Sequence, residues 1–379
     1  MKIILSGVET INKGAELMLY AILQEIERKY PEAVVYVQRN KIPQGFKYLN
    51  TKLKLKYWPV DNVLTRLHLV KFVRGLHFPY KYDISTFSVK AANYFLDGSG
   101  FTFSDQWERN SRGIMWWDRL LKRLYNQGCK VVFLPQAIGP AEKKTTKEIL
   151  SVLSRYSTII MPRENVSLNY IQNSGVVDMS KVQLYPDFTS LVEGIFPNRY
   201  NYLKGGICII PNMRMIDKGM ISLQGYINLV ASIISIAKET NHKVFLLNHE
   251  GKDDENLAYQ CKREVGNTIE VVTGLNALEI KGLISSAKLV VTSRFHGLAS
   301  ALNSCVPCLS TSWSHKYEEL YKDYMLADCI LPLDDNKEVQ RMVSLFISDS
   351  KNTQIRNHLK EQVPKIQERT KDMWNTVWK

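Results

Sequence analysis

Val290-Val291-Thr292-Ser293-Arg294-Phe295-His296-Gly297-Leu298-Ala299-Ser300-Ala301-Leu302 reads as a buried β-strand, a tight polar turn, and a helix rich in small residues that begins near Gly297. A strand feeding a helix in this way is the building unit of a parallel α/β sheet. The turn places a guanidinium, an imidazole and free helix amides around one point, which suits a phosphate or a carboxylate. An isolated Arg-x-His pair also has a purely structural reading, in which both side chains cap the helix and pair with nearby acids.

The same alternation extends to both sides. Upstream, short apolar strands are expected at 2–8, 34–38, 94–96, 130–134, 158–161 and 182–185, with helices at 15–28, 113–126, 147–155 and 166–173. A turn-rich stretch from Glu193-Gly194 to Gly205-Gly206 then breaks the pattern. A second series follows, with strands at Ile207–Ile210, 243–247, 269–272, 288–292 and 307–310 and helices at 223–238, 255–264, 277–286 and 317–324. The expected organisation is an α/β chain of two Rossmann-like doubly wound domains facing a cleft: 1–192 with a basic excursion at 41–90, a linker at 193–205, a second domain at 206–348, and a helical segment at 349–379 in which Pro364 is expected to kink the helix. In open α/β sheets ligands sit outside the carboxyl ends of the strands, so strand-end residues are the ones to inspect.

Composition narrows the classes. The chain has 379 residues, 45% of them hydrophobic, and a formal charge of +13, which attracts anionic substrates, anionic lipid headgroups or nucleic acid without choosing among them. Six cysteines (129, 208, 261, 305, 308 and 329) show neither a disulfide framework nor paired zinc-ligand spacing, and the lone Cys305-Val306-Pro307-Cys308 reads as a turn entering a strand. A cytoplasmic location is expected from this, from the brevity of the apolar run at the N-terminus, and from the lack of an uncharged run of about 20 residues that would cross a bilayer.

Several strand-end turns are polar. Asn12-Lys13-Gly14-Ala15-Glu16 follows the first strand, with Asn12 as a helix cap and Gly14 allowing close backbone approach to a ligand. The stretch from Asp97-Gly98-Ser99-Gly100-Phe101 to Asp105-Gln106-Trp107 reads either as a glycine turn with buried aromatics or as a sugar platform of rings and carboxylates. Gln136 and Asp187 end two further strands. Arg163 lies at a helix start, where the helix dipole disfavours a cation, and so hints at a bound anion. His249-Glu250-Gly251-Lys252-Asp253-Asp254 holds metal-capable side chains without regular ligand spacing and reads as a solvated loop and cap.

Taken in order, Asn12–Gly14, Asp97–Gly100, Pro135-Gln136-x-Ile138-Gly139-Pro140, Arg163-Glu164, Pro186-Asp187 and Arg294-x-His296-Gly297 resemble the polysaccharide pyruvyl transferases over nearly the whole chain. Ala15 stands where members often carry an acid, with Glu16 one place later, and Phe295 replaces an aliphatic residue. The resemblance implies a fold similar to the glycosyltransferase-B type. It also implies transfer of pyruvate from phosphoenolpyruvate across two sugar hydroxyls, with Arg163, Arg294 and His296 at donor positions. Phosphoenolpyruvate is a compact multiple anion that demands fixed cations, which Arg forks match. Gln136 and Gly297 complete the expected donor contacts, and Asn12, Glu16, Ser99, Phe101 and Trp107 the acceptor contacts. His296 is the expected acid, since histidine titrates near neutrality, and Asp97, Asp105 and Asp187 are the candidate bases. No step calls for a metal or a cofactor.

The basic, aromatic-bearing segment 41–81 suits either a helical excursion on the first domain or contact with anionic lipid at the inner face of the plasma membrane, where a polyprenyl-diphosphate-linked acceptor would be presented. No nucleic-acid-binding motif accompanies the charge. Two other readings stay open: a nucleotide-sugar glycosyltransferase or epimerase, and a catalytically silent glycan- or lipid-binding module.

Overall fold

A computed structural model describes residues 1–38, 41–42, 46, 53–57, 92–107 and 109–379. Contacts group the chain into two compact units, Met1–Thr10, Ile22–Tyr185 and Thr376–Lys379 in the first, and Ile11–Ala21 and Pro186–Asn375 in the second. Residues 186–206 group with the second unit, where the Ile195 amide bonds the Leu278 carbonyl at 2.9 Å.

In the first unit the described strands are β1 (Lys2–Ser6), β2 (Val34–Val37), β3 (Lys54–Tyr57), β4 (Tyr94–Asp97), β5 (Lys130–Gln136) and β6 (Ile159–Pro162). They form one parallel sheet in the order β3-β2-β1-β4-β5-β6, with Ile4 opposite Tyr36 on one side and Phe95 on the other. This is the doubly wound order, whose reversal beside β1 puts the switch point at the carboxyl ends of β1 and β4. Helix α1 (Lys13–Lys29) follows β1, α2 (Ser111–Asn126) follows β4, α3 (Lys144–Tyr156) follows β5, and α4 (Asn165–Ser174) follows β6. Pro135 lies within β5 at a register shift between Phe133 and Gln136, the kind of irregularity at which a sheet tolerates a missing amide donor. The buried rings of Phe95, Phe103, Trp117 and Phe133 meet edge-on, fixing the base of the loop that follows β4.

Two departures from the sequence reading concern the edges of this sheet. Residues 182–185 make only one isolated bridge, Ile160 to Val182, because this half-exposed run touches β6 through alternate amides before Pro186 ends it. Strand β3 is the other: its Lys54 and Lys56 are exposed, a charge pattern that protects an edge strand and hides it in a sequence. The rest of the basic segment 41–81, apart from residues 41, 42, 46 and 53, lies outside the described residues.

The second unit carries β7 (Ile207–Ile210), β8 (Val244–Leu247), β9 (Glu270–Val272), β10 (Leu289–Thr292) and β11 (Cys308–Ser310), all parallel, in the order β11-β10-β7-β8-β9. Every residue of β7, β8, β10 and β11 is buried, as expected of strands covered on both faces. The covering helices are α5 (Arg214–Asp217), α6 (Leu223–Glu239), α7 (Gly251–Glu264), α8 (Ala277–Ser285), α9 (Phe295–Asn303), α10 (Lys316–Asp323) and α11 (Asn336–Ile347). Asn276 and Glu279 form a capping box on α8, and Ser222 caps α6. The switch point lies between β7 and β10, where the Asn212 side chain donates to the Ser293 carbonyl at 2.6 Å.

Helix α12 (Asp349–Trp378) continues through Pro364 as one element. In the second unit it buries Ile355, Leu359, Val363 and Ile366, and its Arg356 bonds the carbonyls of Ala287 and Cys305. In the first unit Trp378 donates to Glu25 at 2.8 Å and meets Tyr30 and Tyr94 edge-on. All six cysteines are free. Among the described residues no helix is long and apolar enough to cross a membrane.

Candidate active site

The polar turn after β10 organises the second unit. Thr292 accepts from the Arg294 amide at 3.0 Å, and the Ser293 hydroxyl is bonded by Tyr226 and Thr311, both at 2.7 Å, so the backbone entering α9 is held on three sides. Tyr317 from α10 donates to the Ser293 carbonyl at 2.6 Å, and its ring meets Phe295 edge-on. Gly297 permits this tight entry, since a Cβ there would lie 2.6 Å from the Thr292 hydroxyl and 2.9 Å from Ile210.

Arg294 is spent on acids. Its Nε donates to Asp254 at 2.7 Å, its Nη2 lies 2.5 Å from the same carboxylate, and its Nη1 pairs with Glu250. Burial pulls the guanidinium down to about 10 and pushes the Asp254 carboxyl up to about 7. The direct contacts oppose both shifts, because in a poorly solvated site two charges at this distance hold each other ionised. Asp254 also accepts from the Met213 amide at 2.9 Å.

His296 follows on the first turn of α9. Its Nε2 lies 3.6 Å from the Asp187 carboxylate, and its ring is seated on Gly14, where a Cβ would overlap it. Asp187 is itself fixed by the Thr189 amide at 3.0 Å and hydroxyl at 2.5 Å. Asn12 caps α1 by accepting from Gly14 and Ala15 at 2.9 and 3.1 Å, and it bridges Glu250 through the backbone. Glu16 is buried and bonded to Lys13 at 2.7 Å; burial raises its carboxyl, with Lys13 and the Ala277 amide opposing.

His249 and Lys281 belong to this cluster and were not legible as site residues, and Lys316 is a further buried residue, on α10. His249, 4% exposed, is held well below the usual histidine range, first by burial and then by the charges of Arg294, His296 and Lys13. Lys281, 3% exposed, donates to the Thr189 carbonyl at 3.0 Å. Lys316 is buried at the first position of α10, with its ammonium 4.5 Å from the Trp313 ring centre, a cation placed where the helix dipole disfavours one. The sequence signal for Lys281 is a lysine inside the apolar run from Ala277 to Ile284, and for His249 a histidine two residues past the apolar strand β8.

In the first unit, the ends of β4, β5 and β6 bring Asp97, Gln136 and Arg163 to one edge of the sheet. Asp97 is fully buried; its Oδ1 accepts from the Ser99 amide at 3.1 Å and from Gln136 at 3.5 Å, while Oδ2 has no partner among the described residues. Burial raises its carboxyl, and bonds from Ser99, Ser6 and Gln136 work against the rise. The Arg163 amide bonds the Gln136 carbonyl at 3.0 Å, and its guanidinium lies 3.8 Å from Glu164. Arg109, which the sequence reading passes over, donates to the Thr102 carbonyl at 2.8 Å and lies 5.0 Å over the Phe103 ring; burial lowers its pKa and the Asp97 charge raises it.

Other expected residues are placed differently. Asp105 accepts from the Glu142 and Lys143 amides at 2.7 to 3.3 Å, and with the Thr146 hydroxyl these bonds outweigh burial and hold it below the usual carboxylate range; it thereby secures the start of α3. Trp107 is exposed, while Ser99 and Phe101 are half-buried in the turn after β4. Among the described residues no group of three His, Cys, Asp or Glu side chains is arranged to hold a metal ion.

Two parallel Rossmann-like sheets with polar strand ends define a protein of the glycosyltransferase-B architecture. A UDP-GlcNAc 2-epimerase of Methanocaldococcus jannaschii, solved with UDP-GlcNAc and UDP, is similar at 12% identity over 93% of this chain and 94% of that one, with a TM-score of 0.54. HepE of Anabaena, solved with UDP and glucose, gives 10% identity, 99% and 100% coverage and a TM-score of 0.58. WaaG, a glycosyltransferase involved in lipopolysaccharide biosynthesis, gives 11%, 100% and 99%, and 0.56. At such identities these likenesses show the fold alone. A search among curated proteins finds no sequence match.

The family model for polysaccharide pyruvyl transferase matches residues 12–315, and the chain belongs to that family. It is therefore an enzyme, a transferase of polysaccharide biosynthesis.

Proposed function

We propose that this enzyme transfers pyruvate from phosphoenolpyruvate to two hydroxyls of a sugar as a ketal, releasing phosphate. The observation that supports it most is the pairing of His296 with Asp187 at the start of α9, beside the Arg294 clamp, in a chain of the pyruvyl transferase family. Protonated His296 gives its proton to the enol methylene as one sugar hydroxyl attacks the central carbon; the second hydroxyl then closes the ring as the bond from carbon to phosphate oxygen breaks. Asp187, 3.6 Å from Nε2, orients the imidazole, as the acid of a triad does. Glu16, buried and raised, suits the base that takes a hydroxyl proton. The α9 amides supply the positive field for the donor's anionic groups, presented by a turn that Arg294 holds through Asp254 and Glu250. The net charge of +13 supports an acceptor presented at an anionic membrane face, on a polyprenyl-diphosphate carrier of a surface polysaccharide.

The test is the reaction run in deuterium oxide with phosphoenolpyruvate and candidate lipid-linked or free sugars. The expected product is an acidic sugar ketal whose methyl group holds one deuterium from solvent, formed with one free phosphate. A phosphorylated or glycosylated sugar in its place would overturn the proposal.

A further inference from the structure

Helix α8 is an apolar wall with one exception. Ala277, Leu278, Ile280, Leu283 and Ile284 are buried, and Lys281 is buried among them at 3% exposure. Burying an ammonium is costly, and an apolar residue of similar volume would serve a core equally well. Its Nζ bonds the Thr189 carbonyl at 3.0 Å, the residue whose amide and hydroxyl hold Asp187 at 3.0 and 2.5 Å. The other oxygen of Asp187 lies 3.6 Å from His296 Nε2. A continuous chain of contacts therefore runs from Lys281 through Thr189 and Asp187 to His296.

We propose that Lys281 is a positioning residue for pyruvyl transfer, locking the turn Phe188–Leu191 so that Asp187 holds His296 in the geometry for proton delivery. The inference rests on the role given to His296 above. Burial pulls the ammonium down to about 8, and the charges of Asp187 and Glu193 that face it work against that fall. Lys281 does not touch the reacting atoms; it acts through Thr189.

Steady-state pyruvyl transfer by wild type, Lys281→Met and Lys281→Gln tests this. In Lys281→Met, kcat is expected to fall about 10- to 100-fold, the usual cost of a small misplacement of a catalytic group, with KM for phosphoenolpyruvate unchanged. Lys281→Gln, whose amide still donates to the Thr189 carbonyl, is expected to recover part of kcat. Wild-type kcat in Lys281→Met, or a change in KM alone, overturns the inference and leaves the function standing. Absence of transfer by the wild-type enzyme overturns both. Should Lys281→Met fail to fold, Lys281→Gln decides: a lowered kcat at constant KM supports the role, and wild-type kcat overturns it.

Discussion

At the carboxyl end of the first sheet, Asp97 and Gln136 each keep one oxygen without a hydrogen-bond partner among the described residues, and Arg109 keeps an unpartnered Nε. At the carboxyl end of the second, every nitrogen of Arg294 meets a carboxylate, while His296 Nε2 lies 3.6 Å from Asp187 without a hydrogen-bond partner among the described residues. Both sheets are parallel and both reverse direction beside their first strand, so topology does not account for the difference. Both ends hold buried charge, Asp97, Arg163 and Glu164 at the first and Asp254 and Lys281 at the second, and the second adds an arginine whose every nitrogen meets a carboxylate. Of the proposed reaction, the second suits delivery of the proton.

The clamp on Arg294 gives the largest test of that contrast. Arg294→Ala leaves Asp254 as a buried carboxylate without its cation, and should cost about 3–5 kcal/mol of stability in denaturant unfolding. In an Asp254→Asn background the same change should cost less, because the neutral amide no longer needs compensation. A loss under about 1 kcal/mol would make the clamp a solvent-screened pair and dissolve the contrast.

A smaller test concerns His249. Its folded pKa lies well below 6.5, the value it regains on unfolding, so the unfolded state binds the extra proton as pH drops below about 6.5. Stability is then lost toward acid, by up to about 1.4 kcal/mol per pH unit from this group alone. Urea unfolding at pH 7 and pH 5.5 should show a smaller acid loss in His249→Gln than in wild type. Equal losses would mean that His249 is not the buried neutral group described.

Much of this architecture is written in local patterns. The run Val290–Leu302 reads directly as β10, the Arg294 turn and α9, and Asn12 caps α1 as its position after the first strand suggests. Strand β3 is not legible because Lys54 and Lys56 interrupt its apolar face, and the expected strand at 182–185 fails because it stays at an edge. Helix α11 escapes because its buried Val339, Met342, Val343, Phe346 and Ile347 follow a charged first turn that reads as a loop. At the site, Arg294 and His296 stand out by their turn, whereas Lys281, Lys316, His249 and Arg109 look like ordinary surface residues until tertiary packing buries them. The role of Asp254 is hidden for the same reason: its partner lies 40 residues away in sequence.

Proton delivery by His296 from the second unit is decided by single-turnover transfer in His296→Asn. Asparagine keeps a hydrogen-bonding group beside Asp187 but does not titrate. The rate of ketal formation is expected to fall about 10²–10⁴-fold, with phosphoenolpyruvate affinity largely retained. A near wild-type rate with only weakened donor binding would make His296 a binding residue and overturn its role as the acid.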